Sequence, residues 1–360
     1  MKTYRIAVIP GDGIGKELAP EGMRVLDAAA RAAGGFSLEY EIFPWGCDYY
    51  VQHGMMMPED GLKTLSTFAA IYFGAVGYPE LVPDDVSLHG LLIKLRLGFD
   101  QYVCLRPSTL LPGVKSPLRG VKPGDIDFVT VRENTEGEYA GAGGRMHPGQ
   151  PSELAIETAV FTRAGCERVI RYAFELARSR PRRMLAHATK SNAQKHTLTF
   201  WDQIFDEVAR DYPDVKTERV LVDAMAARFV LKPGSLDVVV ASNLFGDILT
   251  DIGGAITGSL GLSASGNIDP ERRYPSMFEP VHGSAPDIAG KGIANPIAMA
   301  WSGAMMLDFL GEKRAGALIE AAIRAVTAEG TTLTPDLGGT ATTTQVTDAL
   351  VAKVNGLAKA

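Results

Sequence analysis

The chain has 360 residues, of which 46% are hydrophobic and 22% charged, so it can form a large core in two lobes. Its formal net charge of −6 excludes an overall positive field that would attract nucleic acid or an anionic membrane. The three cysteines show no C-x-x-C spacing, and no apolar stretch approaches the ~18 residues of a membrane span. With no secretory segment at the start, these features predict a cytoplasmic protein that binds neither nucleic acid nor membrane.

Short apolar runs alternate with helical patterns along the chain, which predicts an α/β fold. Residues 6–9 form the first run and end in a Gly/Asp turn, and residues 14–33 carry apolar side chains at helical spacing. Four further runs predict strands at 70–73, 126–131, 184–188 and 236–241, and helical patterns cover 310–328 and 346–357. Residues 137–151 are rich in glycine and poor in large apolar side chains, so we expect an excursion from the core there.

A glycine cluster, Gly11, Gly13 and Gly15, follows the first predicted strand. Glycines in such a turn let backbone N–H groups approach a pyrophosphate. However, the Rossmann fingerprint places its third glycine where this chain has Lys16. The spacing therefore favours an ordinary tight turn, and any NAD would be bound by another route.

Residues 238–251 predict an apolar strand, a turn and a helix that carries Asp247 and Asp251. Four residues apart, the two aspartates share one helix face, where like charges are unfavourable unless a cation binds. Oxygen ligands of this kind suit Mg2+ or Mn2+ rather than zinc. The alternative is that both merely complement the helix dipole, which would account for Asp247 better than for Asp251.

Basic and phenolic side chains near apolar runs are candidates for binding and proton transfer. Arg96, Arg106 and Arg132 each follow or end an apolar segment, and converging guanidinium groups would recognise a dicarboxylate. The alternative is three solvated surface arginines. Tyr139 is a candidate proton donor and Lys190 a candidate general base; the alternatives are a packing tyrosine and a solvated lysine.

Residues 278–296 predict a long loop rich in glycine and proline, a kind of loop that commonly carries function. Asp287 would accept hydrogen bonds from both hydroxyls of an adenosine ribose, which would select NAD over a 2'-phosphorylated cofactor. Lys291 lies close to Asp287 in sequence, so a cofactor with a 2'-phosphate stays open as the alternative to NAD.

Taken together, these segments resemble the β-decarboxylating dehydrogenases, the family of isocitrate and isopropylmalate dehydrogenases, over nearly the whole chain. The resemblance is carried by IPGDGIG at 9–15, LRP at 105–107, and the segments 132–139, 243–251 and 279–295. The finer features FPWGCDYY at 43–50, FDQY at 99–102 and WSGA at 301–304 resemble the branch whose members oxidise tartrate or D-malate.

The resemblance implies a role for each candidate residue. Arg96, Arg106 and Arg132 would grip substrate carboxylates; Asp223, Asp247 and Asp251 would hold Mn2+ or Mg2+; and Tyr139 and Lys190 would be the catalytic acid and base. NAD would be bound by Asn192, Leu260, Gly261, Glu279, His282, Gly283, Ser284, Ala285, Asp287, Ile288 and Asn295. A monovalent cation such as K+ would be a further cofactor.

The resemblance also implies an architecture and an assembly. The fold would be two-lobed, with a shared mixed sheet rather than a Rossmann fold. A large domain would comprise 1–101 and 258–360, and a small domain 102–257 would include an intersubunit arm at about 140–157. Lys190 and Asp223 would enter the site of a second subunit, so the enzyme would be a homodimer with shared active sites.

The implied reaction is NAD-dependent oxidation of a small 2-hydroxy dicarboxylate, with or without decarboxylation. Isocitrate dehydrogenases use serine and asparagine where this chain has Gly90 and Leu92, which argues against isocitrate. An isopropylmalate dehydrogenase stays open, although the acidic residue of that segment is missing here. A non-catalytic regulatory subunit and a metal-dependent aldolase or hydrolase are the alternatives of other classes.

Overall fold

The computed structural model describes residues 1–358, which form two compact units. Unit 1 comprises Met1–Gln101, Arg106–Ile126 and the chain from Gly254 onward, and unit 2 comprises Tyr102–Leu105 and Asp127–Gly253. In the described residues, no helix is long and apolar enough to cross a membrane.

Strands and helices alternate along most of the chain, as the sequence predicts. The strands are β1 (Lys2–Gly11), β2 (Phe36–Ile42), β3 (Ala70–Ala75), β4 (Val103–Thr109), β5 (Asp127–Glu133), β6 (Gly137–Met146), β7 (Leu154–Val160), β8 (Met184–Thr189), β9 (Lys216–Leu221), β10 (Val238–Ala241), β11 (Ala264–Ile268) and β12 (Ser276–Pro280). The helices are α1 (Gly15–Ala33), α2 (Cys47–His53), α3 (Gly61–Leu65), α4 (Asp84–Ser87), α5 (Ile93–Gly98), α6 (Arg163–Ser179), α7 (Thr197–Ala209), α8 (Val222–Leu231), α9 (Asn243–Ile256), α10 (Ile297–Leu310), α11 (Lys313–Glu329) and α12 (Thr343–Leu357). A π-helical turn, Leu88–Leu92, precedes α5.

Unit 1 is built on strands in the order β2-β1-β3-β12-β11. Neighbouring strands are parallel except for β11 and β12, which are antiparallel, so the sheet is mixed. Helix α10 packs on β11 and β12 and also against α1 and α11, so it is apolar on nearly every side and almost completely buried.

Unit 2 contains four parallel strands in the order β5-β10-β8-β9. Helices α6 and α7 pack against each other and cover this part of the sheet. Because the strands are parallel, the turns that follow β5, β8, β9 and β10 leave from the same edge. This edge carries most of the candidate residues of unit 2.

The predicted elements are confirmed to within a few residues. All five apolar runs fall in strands, and the helix predicted at 14–33 is α1. The glycine-rich segment 137–151 leaves the core as predicted, because β6 and β7 pair only with each other in a separate two-stranded antiparallel sheet. The mixed α/β class of the prediction is therefore confirmed.

The domain boundaries differ from the predicted ones. Residues 106–126 and 254–257 are expected in the small domain, whereas their contacts group them with unit 1. The reason is packing between distant parts of the chain: Ser116 Oγ donates to the Ile256 carbonyl at 2.6 Å, and a Cβ on Gly113 would lie 1.9 Å from the Thr327 carbonyl oxygen. The segment after β4 is therefore held against the helices of unit 1.

Candidate active site

The Arg132 cluster lies where β5 ends and α9 begins and comprises Arg132, Tyr139, Asn243 and Asp247. Ala241 of β10 is the register partner of Arg132 in β5, so the turn into α9 starts beside this arginine. Arg132 Nε and Nη2 donate to Asn243 Oδ1 at 3.1 and 2.7 Å, and Nη1 donates to Asp247. Tyr139 donates its hydroxyl to Asp247 Oδ2 at 3.0 Å. One guanidinium thus fixes the start of α9.

Gly246 is required for this arrangement. A Cβ on Gly246 would lie 2.6 Å from both Cβ and Cγ of Arg132, closer than real contacts allow. The glycine therefore lets the first turns of α9 lie against β5, and any larger residue would push Asp247 away from Arg132.

Buried polar groups in the turn after β5 hold the Arg132 cluster in place. Asn243 Nδ2 donates to the Glu136 carbonyl at 3.0 Å, and Glu133 accepts backbone N–H groups from Thr135 and Glu136 at 2.8 and 2.9 Å. Burial raises the pKa of Glu133, although these N–H groups act in the opposite direction. The turn after β5 is thus closed by its own side chains, and its backbone is fixed.

The helix-dipole alternative for the two aspartates is wrong. Asp247 is the fifth residue of α9 and its carboxylate is paired with Arg132, while Asp251 lies a turn further on and is exposed. Neither aspartate is in the first helical turn, where the dipole acts. Within the residues that the structure describes, no group of three or more His, Cys, Asp or Glu side chains is gathered for a metal.

Lys190 and Asp223 form an ion pair at the same edge of unit 2. Because β8 and β9 are parallel neighbours and Thr189 pairs with Leu221, the residues that follow each strand lie side by side. Lys190 Nζ lies 2.9 Å from Asp223 Oδ1, and this contact lowers the pKa of the carboxyl. Asp223 and Asn192 are exposed, so both are accessible on the surface of unit 2.

The Arg96 cluster lies in unit 1 and comprises Arg96, Asn267 and Glu279. Arg96 Nη2 donates to Glu279 Oε1 at 2.8 Å, and Asn267 Nδ2 donates to the same oxygen, also at 2.8 Å. The side chains of the ion pair are only 8% and 7% exposed. A residue predicted to bind substrate is thus paired with one predicted to bind the cofactor.

All three candidate arginines are buried, so the alternative of solvated surface arginines is wrong. Their expected position at strand ends holds only for Arg132. Arg96 lies in α5, and Arg106 lies in the middle of β4, whose alternating side chains direct it inward.

The loop after β12 contacts the first glycine turn, as the predicted cofactor route requires. Ile14 N–H donates to the Ser284 carbonyl at 2.8 Å, and a Cβ on Gly13 would lie 2.0 Å from the same oxygen. Gly13 has a positive φ of 51°. The glycines of this turn are therefore explained by close backbone contacts, which supports the interpretation as a tight turn.

The other predicted cofactor residues surround the same loop. Asn295 donates to Asp336 at 3.0 Å, and a Cβ on Gly261 would meet both of these side chains. Burial lowers the pKa of His282, so its ring is neutral near pH 7. Ser284 is buried, Gly283, Asp287 and Leu260 are exposed, and Ala285 and Ile288 are partly buried. These residues thus offer both exposed and buried contacts on the loop after β12 and on the turn at 260–262.

Sequence reasoning missed four polar residues that position the others. Asp12, buried in the glycine turn, accepts the N–H groups of Cys47 and Gly77 at 2.7 and 2.9 Å and so ties three loops together. Asn243, Asn267 and Asp336 hold neighbouring side chains in the contacts given above. A buried polar residue at the end of a strand is a signal, but its partner cannot be read from one sequence.

Known proteins resemble this chain over nearly its whole length. Residues 5–350 match the model of the isocitrate/isopropylmalate dehydrogenase family. The D-malate dehydrogenase (decarboxylating) of Escherichia coli is 57% identical over 356 residues, covering 97% of this chain and 98% of the relative. A probable tartrate dehydrogenase/decarboxylase of Agrobacterium vitis is 55% identical over 356 residues, covering 99% of both chains.

This chain belongs to the isocitrate/isopropylmalate dehydrogenase family. Among solved structures, an isocitrate dehydrogenase from Methylococcus capsulatus matches with a TM-score of 0.87 and 35% identity, covering 98% of this chain and 99% of that one. The resemblance stated from the motifs is confirmed, as is its tartrate and D-malate branch. Dehydrogenases of this family generally use NAD and a divalent metal.

Proposed function

We propose that this protein oxidises D-malate or a tartrate with NAD in the presence of Mn2+ or Mg2+, and that decarboxylation can follow. The observation that carries the proposal is the Arg132 cluster, which gathers a buried arginine, a tyrosine hydroxyl and a carboxylate at one strand edge. The names of the relatives at 55% and 57% identity favour this substrate class over isopropylmalate.

The pair of aspartates within α9 fits a hard divalent cation. Asp247 and Asp251 offer only oxygen atoms, one helical turn apart, and Asp247 is 35% exposed and so can be reached. Asp223 lies elsewhere in unit 2, paired with Lys190, which agrees with a third carboxylate that reaches the site of a second subunit. When bound, the cation would acidify the 2-hydroxyl and polarise the carbonyl that follows.

The loop after β12 fits the cofactor. Asp287 is exposed and can accept hydrogen bonds from two hydroxyl groups of a ribose. The neutral His282 and the buried Asn295 offer further polar contacts on the same loop. NAD would accept the hydride. A monovalent cation such as K+ belongs to the same proposal.

The chain's own residues supply binding and proton transfer. The arginines would hold the two carboxylates of the substrate by paired hydrogen bonds. The unprotonated amine of Lys190, which lies 2.9 Å from Asp223 Oδ1, would take the proton of the 2-hydroxyl. After the 2-keto acid forms and its β-carboxylate leaves as CO2, the Tyr139 hydroxyl would protonate the remaining carbon. A smaller keto acid is the product.

A cytoplasmic homodimer with shared active sites is part of the proposal. Unit 2 exposes large apolar side chains that a second copy would cover, namely Met146, Leu154, Ile156, Val230, Leu231 and Ile248. Three of them lie in β6 and β7, the hairpin that matches the expected arm. No binding of nucleic acid or membrane is proposed.

The test is NADH formation at 340 nm with NAD, Mn2+ or Mg2+, and a panel of D-malate, tartrates, isopropylmalate and isocitrate, with and without KCl. We expect D-malate or a tartrate to give the largest kcat/KM, and chelation to abolish turnover. Lys190→Met is the matched control, since it removes the base and leaves the NAD loop unchanged. Preference for isopropylmalate, or no turnover with any substrate, would contradict the proposal.

A further inference from the structure

We propose that Asn267 is a positioning residue that fixes the Glu279 carboxylate and, through it, the guanidinium of Arg96 for a substrate carboxylate. The inference rests on the proposed function, because Arg96 is taken there as a substrate ligand. It concerns a residue outside the predicted site, and it is carried by contacts within unit 1.

The geometry of β11 and β12 brings the two side chains together. In their antiparallel register Asn267 is opposite Met277 and Ser265 is opposite Glu279, so Asn267 and Glu279 are diagonal neighbours on one face of the sheet. Asn267 is fully buried, and its Nδ2 lies 2.8 Å from Glu279 Oε1. The amide therefore contacts the acid from the side of the sheet.

Arg96 contacts the same oxygen from the side of α5. Its Nη2 also lies 2.8 Å from Glu279 Oε1, so one oxygen accepts both donors. A carboxylate can rotate about its last side-chain bond, and a single cation would not fix that rotation. The second donor, Asn267 Nδ2, fixes the rotation of the Glu279 carboxylate. The fixed carboxylate in turn sets the direction of the Arg96 guanidinium.

The side-chain amide of asparagine suits this role. Its amide donates to a carboxylate without adding charge, so the pair of Arg96 and Glu279 stays electrically balanced in a buried place. Arg96 Nε is buried and has no hydrogen-bond partner within residues 1–358. A guanidinium held at Nη2 with an unused N–H edge is suited to a ligand carboxylate.

The test uses Asn267→Asp, whose side chain can donate to Glu279 only while a proton is shared between the two carboxyls. Two carboxylates this close retain one proton to a higher pH than either would alone. The dissociation constant of D-malate is measured by calorimetry on the full protein with Mn2+, for wild type and variant at pH 6 and pH 8.5. We expect about tenfold weaker binding at pH 8.5, which is about 1.4 kcal/mol, and at pH 6 a loss of no more than about twofold.

A second variant keeps the inference testable if the charged one does not fold. Asn267→Ser is shorter and its hydroxyl cannot reach Glu279, so we expect about tenfold weaker D-malate binding at both pH values. Ser276→Ala is the matched control. It removes a buried hydroxyl on β12 that accepts the Asp269 N–H at 3.0 Å, and it should leave D-malate affinity unchanged at both pH values.

The outcomes separate the two proposals. Wild-type protein that binds neither D-malate nor a tartrate would overturn the proposed function, and the role of Asn267 with it. Wild-type protein that binds one of them, with unchanged affinity in Asn267→Ser or an equal loss at both pH values in Asn267→Asp, would overturn the role of Asn267 alone. Acid rescue of the aspartate variant would support it, because a merely structural defect would not be repaired by a proton.

Discussion

The Arg96 cluster and the Arg132 cluster solve the same problem differently. Each holds a buried arginine with one carboxylate and one asparagine. In unit 1 the carboxylate of Glu279 is 7% exposed, whereas in unit 2 the carboxylate of Asp247 is 35% exposed.

The exposure of the acid distinguishes the two clusters: the buried Glu279 serves as a fixed support, and the partly exposed Asp247 can react. A buried ion pair is a rigid support, because removing either partner would leave a charge without solvent. An acid that is partly open can exchange one partner for a ligand. We therefore interpret the first cluster as a binding element and the second as the place of chemistry, which the following experiments can break or sharpen.

The largest effect should come from Tyr139→Phe. Loss of the hydroxyl that donates to Asp247 removes the proposed proton donor, and we expect decarboxylation of the keto acid to fall by about 10²–10⁴-fold, with a smaller loss in hydride transfer. Separate assays of oxaloacetate decarboxylation and of NADH formation measure the two steps. Equal losses in both would contradict this division, and Asn267→Ser is the control in which decarboxylation should not be lost selectively.

Replacing Arg96 and Arg132 one at a time should show in which cluster the arginine contributes more to the free energy of unfolding. Arg96→Met leaves the Glu279 carboxylate buried without a cation and should lower the free energy of unfolding by about 3–5 kcal/mol. Arg132→Met leaves Asp247 partly exposed and should cost less, since water replaces the guanidinium. Urea denaturation at one protein concentration measures both. A larger loss for Arg132→Met would reverse our comparison.

Metal dependence should belong to unit 2 alone. In Asp251→Asn we expect the Mn2+ affinity to fall by at least about 10–100-fold, because a charged oxygen ligand is lost. Glu279→Gln is the control, and its Mn2+ affinity should stay at the wild-type value. Titration of free Mn2+ by electron paramagnetic resonance gives the constants, and unchanged affinity in Asp251→Asn would remove this residue from the ligand set.

The smallest expected effect is on stability at low pH and concerns β8, the strand that precedes Lys190 in the chain. His187 in β8 is fully buried, and desolvation, with a further contribution from Arg219, lowers its pKa from 6.5 to about 3. Since the unfolded chain then binds this proton more readily, stability is complete above about pH 6.5 and falls as the pH drops towards 3. At pH 5 the loss should be about 2 kcal/mol.

His187→Leu should remove most of this dependence. The measurement is the free energy of unfolding in urea at pH 7 and pH 5, with the exposed His196→Asn as the control that retains the wild-type loss. A variant at position 187 that still loses about 2 kcal/mol would assign the acid sensitivity to other groups.

Much of the architecture could be predicted from local patterns. The apolar runs at 6–9 and 184–188 are strands because they are short, uninterrupted and followed by turns, and the glycine-rich segment after β5 leaves the core because it has little to bury. The division of the chain at 106–126 could not be predicted, since it depends on how Gly113 and Ser116 meet residues far along the chain.

The candidate residues show the same limit. Motifs indicated Arg96, Arg132 and Glu279 as separate ligands, and no spacing in the sequence indicates that Arg96 and Glu279, 183 residues apart, share a hydrogen bond. Nor does any pattern show that Gly246 is small because Arg132 lies against it.

The sequence by itself determined the order of strands and helices, the family and the kinds of side chain available for chemistry, because these follow from periodicity and motif. Only the tertiary structure decided which acid pairs with which arginine, and how much water each acid meets. Partner and exposure set what a carboxylate can do, and both arise from strands and helices that are distant in the chain.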